Sequence, residues 1–536
     1  MSGGILARGD RTSPVAFWLG AIAVTIGVGL HLPMFFASAS MGYMMAGMAM
    51  DPTMIFGMGL IVAGFAAAAY GLIPASRAEP DSVRPEDFAI PAGEAEGRLT
   101  PAHWLLMLTL TFALVIDTMK PASLGFVVPG MAEEYHLPRQ VVALLPFFAL
   151  LGTAIGSLIW GFLADLLGRR AAILLAAIMF IGTAICGAMP SFTWNLVMCF
   201  LMGISAGGML PIAYTLLAEL VPARHRGWFL VLLGGLGLSA GYLAAAGSAA
   251  LLEPIFGWRI MWFLGLPTGV ILIALNRFIP ESPKFLLLRG ETAQALAIMR
   301  RFKAHLAIPQ WSCASGIEET GAANTSVLFR GPLAGISASV NLAALAWSLV
   351  NFGLLLWLPA DLRARGLDVA ASDVLLAQSS LVALPTAAIA AWLYARWSTK
   401  WTLVLLAALT AFGLLGVSLL GHGLDLFGNN PLLLIAILMV GSNGVIAVLL
   451  PYSAETYPLR VRGRGTGFVA GSSKLGGLGA QIAMLVAFVP GLTTAALILA
   501  VPMVLAACMI GRYGGETRER SLDEIDCRRP AEISTG

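Results

Sequence analysis

Three ionisable residues lie inside apolar stretches of a chain that carries little charge elsewhere. Asp117 and Lys120 stand three residues apart in VIDTMKPASLG, and Lys474 lies in AGSSKLGGLGAQ. A spacing of three places two side chains on one face of a helix. Charged groups are costly in a lipid bilayer, so those found there are candidates for function. An acid beside amines can carry a proton and attract an organic anion, and we predict this chemistry for Asp117, Lys120 and Lys474.

A purely structural interpretation of the same residues stays open. Asp117 and Lys120 would then form an ion pair, and Lys474 would extend its amine towards an interface or a carbonyl group. Neutral polar residues in other apolar segments are candidates of lower rank for a substrate cavity, because such groups more often form hydrogen bonds between helices. They are Asn341, Asn351, Gln378, Asn443, Tyr214, Tyr242, Tyr452 and Gln481.

The composition places these residues in a membrane protein with many spans. Of the 536 residues, 58% are hydrophobic and 11% are charged, whereas soluble domains have about 25% charged residues. A span takes about 20 apolar residues of helix. We therefore predict an all-α membrane protein. The fourteen candidate spans are 15–38, 53–75, 102–123, 139–163, 171–189, 193–219, 228–251, 258–277, 335–360, 372–396, 400–421, 430–454, 465–489 and 491–512.

Basic residues predict the orientation of the chain, because cytoplasmic loops carry most of the lysine and arginine in membrane proteins. With the amino terminus inside, only four basic residues lie on or near the outer side. They are Arg139, Arg259, Arg363 and Arg365. The opposite orientation would place most basic residues outside. We therefore predict that both termini are cytoplasmic and that the protein spans the plasma membrane, which in a prokaryote is the inner membrane.

A decapeptide occurs twice, with its copies 236 residues apart. Residues 218–227 read AELVPARHRG and residues 454–463 read AETYPLRVRG, so that Glu219 matches Glu455 and Arg226 matches Arg462. Each copy ends one apolar segment and precedes the next. A duplicated unit of six membrane helices explains this pattern. Secondary transporters have such an organisation and move a solute by rocking one half against the other.

Further motifs lie between the predicted helices. GFLADLLGRR (161–170) follows the second helix after residue 100, PESPKFLLLRG (280–290) follows the sixth, and GGETRERSLDEI (514–525) follows the twelfth. Together with the decapeptides, these motifs resemble the major facilitator superfamily, and in particular its sugar porter and metabolite:proton symporter branch. The resemblance covers about residues 101–525. It implies a core of two six-helix bundles around a central cavity, to which two extra N-terminal helices are added.

The resemblance and the polar intervals divide the chain into six parts. Residues 291–306 also show helical periodicity within the second polar interval. The parts are a two-helix membrane extension (1–75), a polar cytoplasmic linker (76–100), an N-terminal six-helix bundle (101–290), a cytoplasmic linker between bundles (291–334), a C-terminal six-helix bundle (335–512) and a cytoplasmic tail (513–536).

The loop motifs contain acids and arginines that can close the cytoplasmic side when the bundles meet. Arginine offers forked donors to carboxylates, and Asp165 can accept hydrogen bonds from the amino terminus of a neighbouring helix. The second half reads AWLYARWSTK (391–400) where the first has GFLADLLGRR, so we expect an asymmetric gate. Alternatively, these basic residues only fix topology and meet lipid phosphates. The predicted gate residues are Gly161, Asp165, Gly168, Arg169, Arg170, Glu219, Arg226, Glu281, Glu455 and Arg462.

The predicted outer loop between the first two helices is rich in methionine and reads MGYMMAGMAM (41–50). Thioethers are soft ligands that suit Cu(I). The alternative, which we favour, is a short interfacial helix that packs with Met41, Met45 and Met48 on one face. We therefore predict no metal site. Asp51 and Pro52 are expected to begin the next helix as its cap and first residue.

The sequence thus predicts a secondary active transporter that moves a small organic solute, preferably an anion or carboxylate metabolite, by proton-coupled alternating access. Sugar porters hold sugar hydroxyls with a glutamine in their fifth helix, and its absence from 231–247 argues against a hexose. A drug or metabolite exporter and a non-transporting membrane sensor remain alternatives. There is no GxxxxGK[ST] sequence for ATP. We expect no enzyme activity, no cofactor, no nucleic-acid partner and a monomer whose partners are the solute, protons and the bilayer.

Overall fold

The computed structural model describes residues 14–73, 97, 99–303, 328–329, 331–364, 366, 368–419, 431–457, 459–486 and 491–518. Within these ranges the regular secondary structure is helical throughout. Thirteen helices in the described ranges are long and apolar enough to cross a membrane. A further helix of 27 residues, Leu459–Leu485, is rich in glycine, serine and arginine. The chain is therefore an all-α membrane protein, as predicted.

Twelve helices of the described chain form two bundles of six and are numbered core helices 1 to 12. The first six are Pro101–Glu134, Arg139–Leu167, Arg169–Ala188, Phe192–Leu220, Ala223–Phe256 and Ile260–Phe278. Core helix 7 comprises Pro332–Leu349, a π-helical turn at Val350–Leu355, and Leu358–Ala364. Core helices 8 to 12 are Val369–Arg396, Thr399–Leu419, Pro431–Thr456, Leu459–Leu485 and Leu492–Tyr513. Two short helices, Pro283–Leu288 and Thr292–Phe302, follow core helix 6.

Core helix 1 is longer than the sequence predicted. We expected a span over 102–123, but the helix continues to Glu134 through both Pro121 and Pro129. A chain inside lipid has no water to satisfy free backbone groups, so the helix is the favoured conformation even at a proline. Asp117 is the seventeenth of its 34 residues and consequently lies near the middle of the membrane.

The two bundles meet along an interface that crosses the whole fold. Core helix 5 packs against core helices 8 and 10, and core helix 11 packs against core helix 2. Asn443 Nδ2 donates a hydrogen bond of 3.4 Å to Ser239 Oγ across this interface. The membrane face that carries residues 218–227 and 454–463 is called the motif face below. The opposite face, where core helices 1 and 5 end, is called the far face.

The two N-terminal helices, Pro14–Gly29 and Pro52–Leu72, form a tight hairpin. A Cβ atom on Gly20 would lie 2.4 Å from the carbonyl oxygen of Gly64, and one on Gly27 would lie 2.7 Å from that of Gly57. Glycine permits this close approach of membrane helices. The hairpin packs on core helices 3 and 6 and therefore extends the perimeter of the first bundle.

The methionine-rich stretch of the hairpin is a series of turns, so the short interfacial helix expected over 41–48 is wrong. Gly42 and Gly47 have positive φ angles of 66° and 76°, which bend the chain where a helix would need negative values. Met45 is fully buried while Met41 is 48% exposed. In the described ranges no group of three or more His, Cys, Asp and Glu residues could hold a metal ion.

Glu134 ties this stretch to the far face of the first bundle. Its Oε1 accepts hydrogen bonds from the backbone N–H groups of Met45 (2.7 Å) and Ala46 (2.9 Å). The same carboxylate pairs with Arg259 at 2.6 Å, where both side chains are almost completely buried. At the other end of the stretch Asp51 caps the next helix, as predicted, by accepting from the Thr53 N–H at 3.2 Å.

Candidate functional site

Two of the three charged residues predicted inside the bilayer face each other from opposite bundles. Asp117 lies on core helix 1 and is 8% exposed. Its Oδ1 atom is buried without a hydrogen-bond partner in the described chain. Lys474 lies on core helix 11, within electrostatic range of Asp117. Both residues lie in the described ranges, but the amine of Lys474 and the carboxylate of Asp117 form no ion pair within 4.0 Å.

Lys120 binds inside the first bundle instead. Its Nζ donates to the carbonyl oxygen of Phe180 and, at 2.9 Å, to Thr183 Oγ1. The α-helical part of core helix 3 ends at Gly182 and a 3₁₀ turn follows, so carbonyl groups there are available to a donor. The spacing of three correctly put Lys120 near Asp117 along the helix, but its long side chain reaches another helix. Lys120 therefore forms no ion pair with Asp117 and does not lie at the bundle interface.

The polar candidates of lower rank occupy different environments. Asn443 reaches across the bundle interface to Ser239. Asn341 is engaged within the second bundle, where its Oδ1 accepts from Ser472 Oγ at 2.7 Å. Asn351 lies in the π-helical turn of core helix 7. Among these three, Asn443 is therefore the residue best placed to meet a solute between the bundles.

Gln378 and Tyr452 do not lie where a substrate cavity was expected. Gln378 is exposed on core helix 8, on the same helical face as the exposed Val374 and Leu381. Tyr452 is buried near the motif face, and its Oη donates to the carbonyl oxygen of Gly515 at 2.9 Å. Hydropathy alone could not separate these residues from interface residues, because a polar residue in a span can face lipid, protein or cavity.

Of two buried aromatic donors, Tyr242 was a candidate of lower rank from the sequence, whereas Trp347 was missed. Tyr242 Oη on core helix 5 and Trp347 Nε1 on core helix 7 have no hydrogen-bond partner among the described residues. Their rings lie near Phe126 (6.1 Å between centroids) and Phe352 (6.0 Å), respectively. Buried donors normally have a partner, so these two are candidates for contact with a solute. No sequence signal distinguished Trp347 from other aromatic residues in spans.

At the motif face of the first bundle, the carboxylate at the start of core helix 3 is Glu281. Its Oε1 accepts from the backbone N–H groups of Arg169 (2.7 Å) and Arg170 (3.3 Å). Gly168 has φ of 101°, and a Cβ atom there would lie 2.5 Å from Glu281 Oε2, so the position requires glycine. Asp165, predicted for this role, is 76% exposed and pairs with Arg169 at 3.3 Å. That expectation was wrong, because Glu281 accepts from the N–H groups of this helix terminus while Asp165 binds the Arg169 side chain at an exposed position.

The neighbours of Glu281 complete this cluster. Ser282 Oγ donates to Glu219, and Arg170 Nε donates to Asn276 Oδ1 at 2.6 Å. Burial raises the pKa of the Glu281 carboxyl above its ordinary value, although the backbone hydrogen bonds act in the opposite direction. A Cβ atom on Gly161 would meet nothing within 4 Å. Gly161, one of the predicted gate residues, therefore has no close neighbour from another helix in the described chain.

The second bundle carries the same arrangement, with Glu516 at the start of core helix 9. Glu516 Oε1 accepts from the N–H of Thr399 (3.0 Å) and from its Oγ1 (2.6 Å), and Ser398 Oγ donates to the other oxygen. Thr517 Oγ1 donates to Glu455 at 2.8 Å, as Ser282 does to Glu219. Burial acts to raise the pKa of Glu516, but hydrogen bonds from Ser398 and Thr399 outweigh it and lower the pKa.

Glu455 also connects the two bundles at the motif face. Tyr394 Oη donates to it at 2.6 Å from core helix 8, and Arg226 at the start of core helix 5 attracts it electrostatically. A Cβ atom on Gly227 would lie 2.6 Å from Glu455 Oε1, so the carboxylate touches the first bundle. The side chain of Arg462, the remaining predicted gate residue, lies outside the described residues.

Ion pairs across the bundle interface at the far face were missed from the sequence. Arg139 pairs with Asp361 at 2.9 Å. Arg363 pairs with Glu253 and with Asp373, each at 3.2 Å. The sequence had put Arg139 and Arg363 on this side of the membrane, but it gave no basis for choosing their acidic partners.

The family follows from a match that spans most of this architecture. The family model described as Major Facilitator Superfamily matches residues 106–480. The chain belongs to the Major Facilitator Superfamily. As a superfamily member with transporter relatives along most of its length, it is a secondary transporter of small organic solutes and not an enzyme.

Three known proteins are similar to the chain over most of its length. The niacin transporter NiaP of Acinetobacter baylyi is 28% identical over 431 residues, which cover 79% of this chain and 96% of NiaP. The 4-hydroxybenzoate transporter PcaK of the same organism is 27% identical and covers 70% of this chain and 83% of PcaK. The structure of the proton:xylose symporter XylE with 6-bromo-6-deoxy-D-glucose has a TM-score of 0.62 at 19% identity, covering 79% of this chain and 98% of XylE. This last likeness establishes the fold alone.

Proposed function

We propose that this superfamily member takes up a small aromatic monocarboxylate together with a proton, and that Asp117 and Lys474 bind the two species. The observation that carries this proposal is the placement of an acid and an amine on opposite bundles near the membrane midplane, without a direct ion pair. Buried charges are expensive unless they are paired. A solute carboxylate between the bundles would supply the missing partner for Lys474.

Solute and proton binding are coupled because the carboxylates of Asp117 and of the solute compete for the positive charge of Lys474. Without solute, Lys474 attracts the ionised carboxylate of Asp117. When a solute carboxylate binds Lys474, Asp117 loses most of this stabilisation, and burial then favours its protonated form. One solute anion and one proton therefore bind together. We expect an electroneutral cycle with one proton per solute molecule.

The substrate class comes from the relatives and fits the chemistry of the interface. NiaP and PcaK are named for niacin and 4-hydroxybenzoate, which are planar aromatic acids. The unpaired donors Tyr242 Oη and Trp347 Nε1 can hydrogen-bond a polar ring substituent, and aromatic rings suit contact with a planar solute. Asn443 adds a further amide at the interface.

The gating assignment is part of the same proposal. The motif face is cytoplasmic and the far face is external, so both termini lie in the cytoplasm and the protein acts in the plasma membrane. Contacts of Glu455 with the first bundle support a cytoplasmic gate, and the Arg139 and Arg363 pairs support an external one. A single chain contains both bundles and their interface, so we propose a monomer as the working unit.

Transport by the purified full chain in proteoliposomes tests the function. We expect counterflow of radiolabelled nicotinate, benzoate or 4-hydroxybenzoate, and accumulation driven by an acidic exterior without a membrane-potential requirement. Xylose and cationic drugs serve as negative solutes. If no aromatic acid gives counterflow while another solute class does, the proposed substrate class is wrong.

Variants of the charged pair test the mechanism. We expect Asp117→Asn to abolish gradient-driven accumulation but to keep counterflow, because the proton site is lost while Lys474 remains. We expect Lys474→Met to lose both activities. Lys120→Met is the matched control, since Lys120 lies inside the first bundle; a folded variant should retain coupling. Accumulation by Asp117→Asn would show that another group carries the proton.

A further inference from the structure

The far face holds two carboxylates that share a single guanidinium group. Arg363 Nη2 lies 3.2 Å from Glu253 Oε1 and 3.2 Å from Asp373 Oδ1. Glu253 belongs to core helix 5 of the first bundle, whereas Arg363 and Asp373 belong to core helices 7 and 8 of the second. The cluster therefore joins the bundles, and with all three groups ionised it carries one excess negative charge.

This excess charge is buried. Glu253 is 8% exposed and Asp373 is 0% exposed. The two carboxylates repel each other, and Glu253 Oε2 is buried without a hydrogen-bond partner in the described chain. Two carboxylates so close together cannot both ionise easily, and such pairs commonly share one proton. The unpaired oxygen of Glu253 is therefore a position at which a shared proton would be held.

No other described group is positioned to neutralise this charge. Tyr242 on core helix 5 lies within electrostatic range of Asp373 but is neutral near pH 7. Arg139 and Asp361 lie beside the cluster and already neutralise each other at 2.9 Å. Asp368, near the start of core helix 8, accepts from the Ala371 N–H and adds negative charge. Arg365 lies outside the described residues.

We propose that Glu253 and Asp373 together hold one proton when the far face is closed, so that closing this face binds a proton from the external solution. The inference rests on the alternating access and orientation proposed above. Opening the far face would separate Glu253 from the second bundle and leave Arg363 and Asp373 as a neutral pair. The proton on Glu253 would then return to external water, and no bond other than O–H is formed or broken.

A proton held by Glu253 and Asp373 would affect transport differently from a proton on Asp117. The far-face proton enters and leaves on the same side, so it does not contribute to the number of protons carried per solute. It instead makes the closed far face more populated at acidic external pH. A single proton bound only in the closed state changes the ratio of closed to open forms by at most tenfold per pH unit. External acid would thereby favour the step that encloses solute.

The distance between the bundles at the far face tests this proposal directly. Spin labels replace Leu251 and Val369, which are exposed on core helices 5 and 8 near the cluster, in a full-length chain without other reactive cysteines. Double electron–electron resonance in nanodiscs without solute, between pH 5 and 8, should show the short distance gaining population up to tenfold per pH unit towards acid. One unchanging distance over this range would overturn the proposal.

Variants assign the pH response to the carboxylate pair. Glu253→Gln and Asp373→Asn each remove the excess charge, so we expect both to favour the short distance and to lose the pH dependence. Asp361→Asn is the matched control, because it breaks the adjacent pair with Arg139 but leaves the cluster intact; it should populate the long distance more at every pH and keep the parent slope. A parent slope in both Glu253→Gln and Asp373→Asn would overturn the proposal.

A further variant distinguishes the far-face proton site from the proton site proposed at Asp117. Asp117→Asn should retain the pH dependence of the far-face distance, since Asp117 is not part of the cluster. Loss of the dependence in Asp117→Asn alone would assign the response to the midplane site and refute the far-face assignment. Failure of aromatic acid transport with a retained, Glu253-dependent distance change would refute the proposed substrate and leave the far-face proton site standing.

Discussion

The two bundles build their motif faces with the same hydrogen-bond arrangement but with different charges. In the first bundle Glu281 accepts from the start of core helix 3, and in the second Glu516 accepts from the start of core helix 9. A hydroxyl from the following residue then binds the decapeptide glutamate, through Ser282 in one case and Thr517 in the other. The loops before these helices differ, since one reads GFLADLLGRR and the other AWLYARWSTK.

The comparison shows which part of the duplicated unit each bundle retains. A carboxylate at a helix amino terminus satisfies N–H groups that have no partner within the helix, and both bundles keep it. The arginines and the exposed aspartate differ, so the expected asymmetry of the gate lies in its charges. Glu455 contacts the opposite bundle, whereas Glu219 binds Ser282 and lies 3.9 Å from Arg169 within its own bundle.

The largest effect on transport is expected at the two decapeptide glutamates, and it should be greater for Glu455 than for Glu219. Glu455→Ala removes the acceptor for Tyr394 and Thr517 and the partner of Arg226 across the interface. Breaking a buried charged contact costs about 3–5 kcal/mol, so we expect the motif face to open and transport to fall by at least tenfold. Cysteine accessibility at the motif face of the full chain measures the opening.

Glu219→Ala is the comparison for this test. Its described partners Ser282 and Arg169 lie in the first bundle, so we expect mainly a lower thermal stability and a smaller change in accessibility. Equal opening in both variants would show that the two glutamates contribute alike to the gate. That outcome would remove the distinction between the bundles.

A second, smaller effect is expected at the residue before each capped helix. Gly168 has φ of 101° and touches the Glu281 carboxylate, so Gly168→Ala should cost about 1–3 kcal/mol of stability through backbone strain and displacement of that carboxylate. Ser398→Ala in the second bundle loses the hydroxyl that donates to Glu516 and accepts from the Trp401 N–H, and should cost about 1–2 kcal/mol. Thermal unfolding in detergent compares the two; a larger loss for Ser398→Ala would contradict the assigned geometry.

The smallest effect is expected in the pH dependence of stability at the two carboxylates that cap helices, Glu516 and Glu281. Glu516 has a pKa below its ordinary value of 4.5, so its ionised form stabilises the fold above that pH and this stability is lost as the pH falls through the folded pKa. Glu516→Gln should therefore cost about 1 kcal/mol at pH 7. The difference in melting temperature from the parent should shrink below pH 4.5.

Glu281 should behave in the opposite way. Its pKa is raised by burial, so the folded state binds a proton more readily than the unfolded state and gains stability as the pH falls towards 4.5. Glu281→Gln, which resembles the protonated form, should be tolerated better at pH 7 than Glu516→Gln, and its relative stability should decline in acid. Parallel pH profiles for the two variants would contradict the opposite shifts.

The sequence predicted the helices and the family better than it predicted the partners of charged residues. Periodicity and hydropathy respond to burial in lipid, which acts along a whole helix, so the spans were found. Asp117 and Lys474 lie on opposite bundles within electrostatic range of each other, and their role in binding solute and proton stays a prediction. Two contacts were not predicted: Lys120 binds Phe180, and Glu281 instead of Asp165 accepts from the start of core helix 3. Both depend on side chains that reach between helices distant in sequence. No spacing within one segment contains that information.

The far face shows the same limit more clearly. Counting basic residues grouped Arg363 with Arg139 on one side of the membrane, but its partners Glu253 and Asp373 come from two different helices. Glu253 appeared as an ordinary acid at the end of an apolar segment. Its burial depends on the meeting of the bundles, which hydropathy along one chain segment does not describe.

The N-terminal hairpin has a practical consequence for observing this protein at work. Its packing on core helices 3 and 6 and the link from Glu134 to the backbone of Met45 attach it to the first bundle. A fluorophore at the exposed Met41 would therefore travel with that half during each turnover. Paired with a second dye on the other half, it would report the swing between them as an energy-transfer signal, while leaving every residue of the solute path untouched.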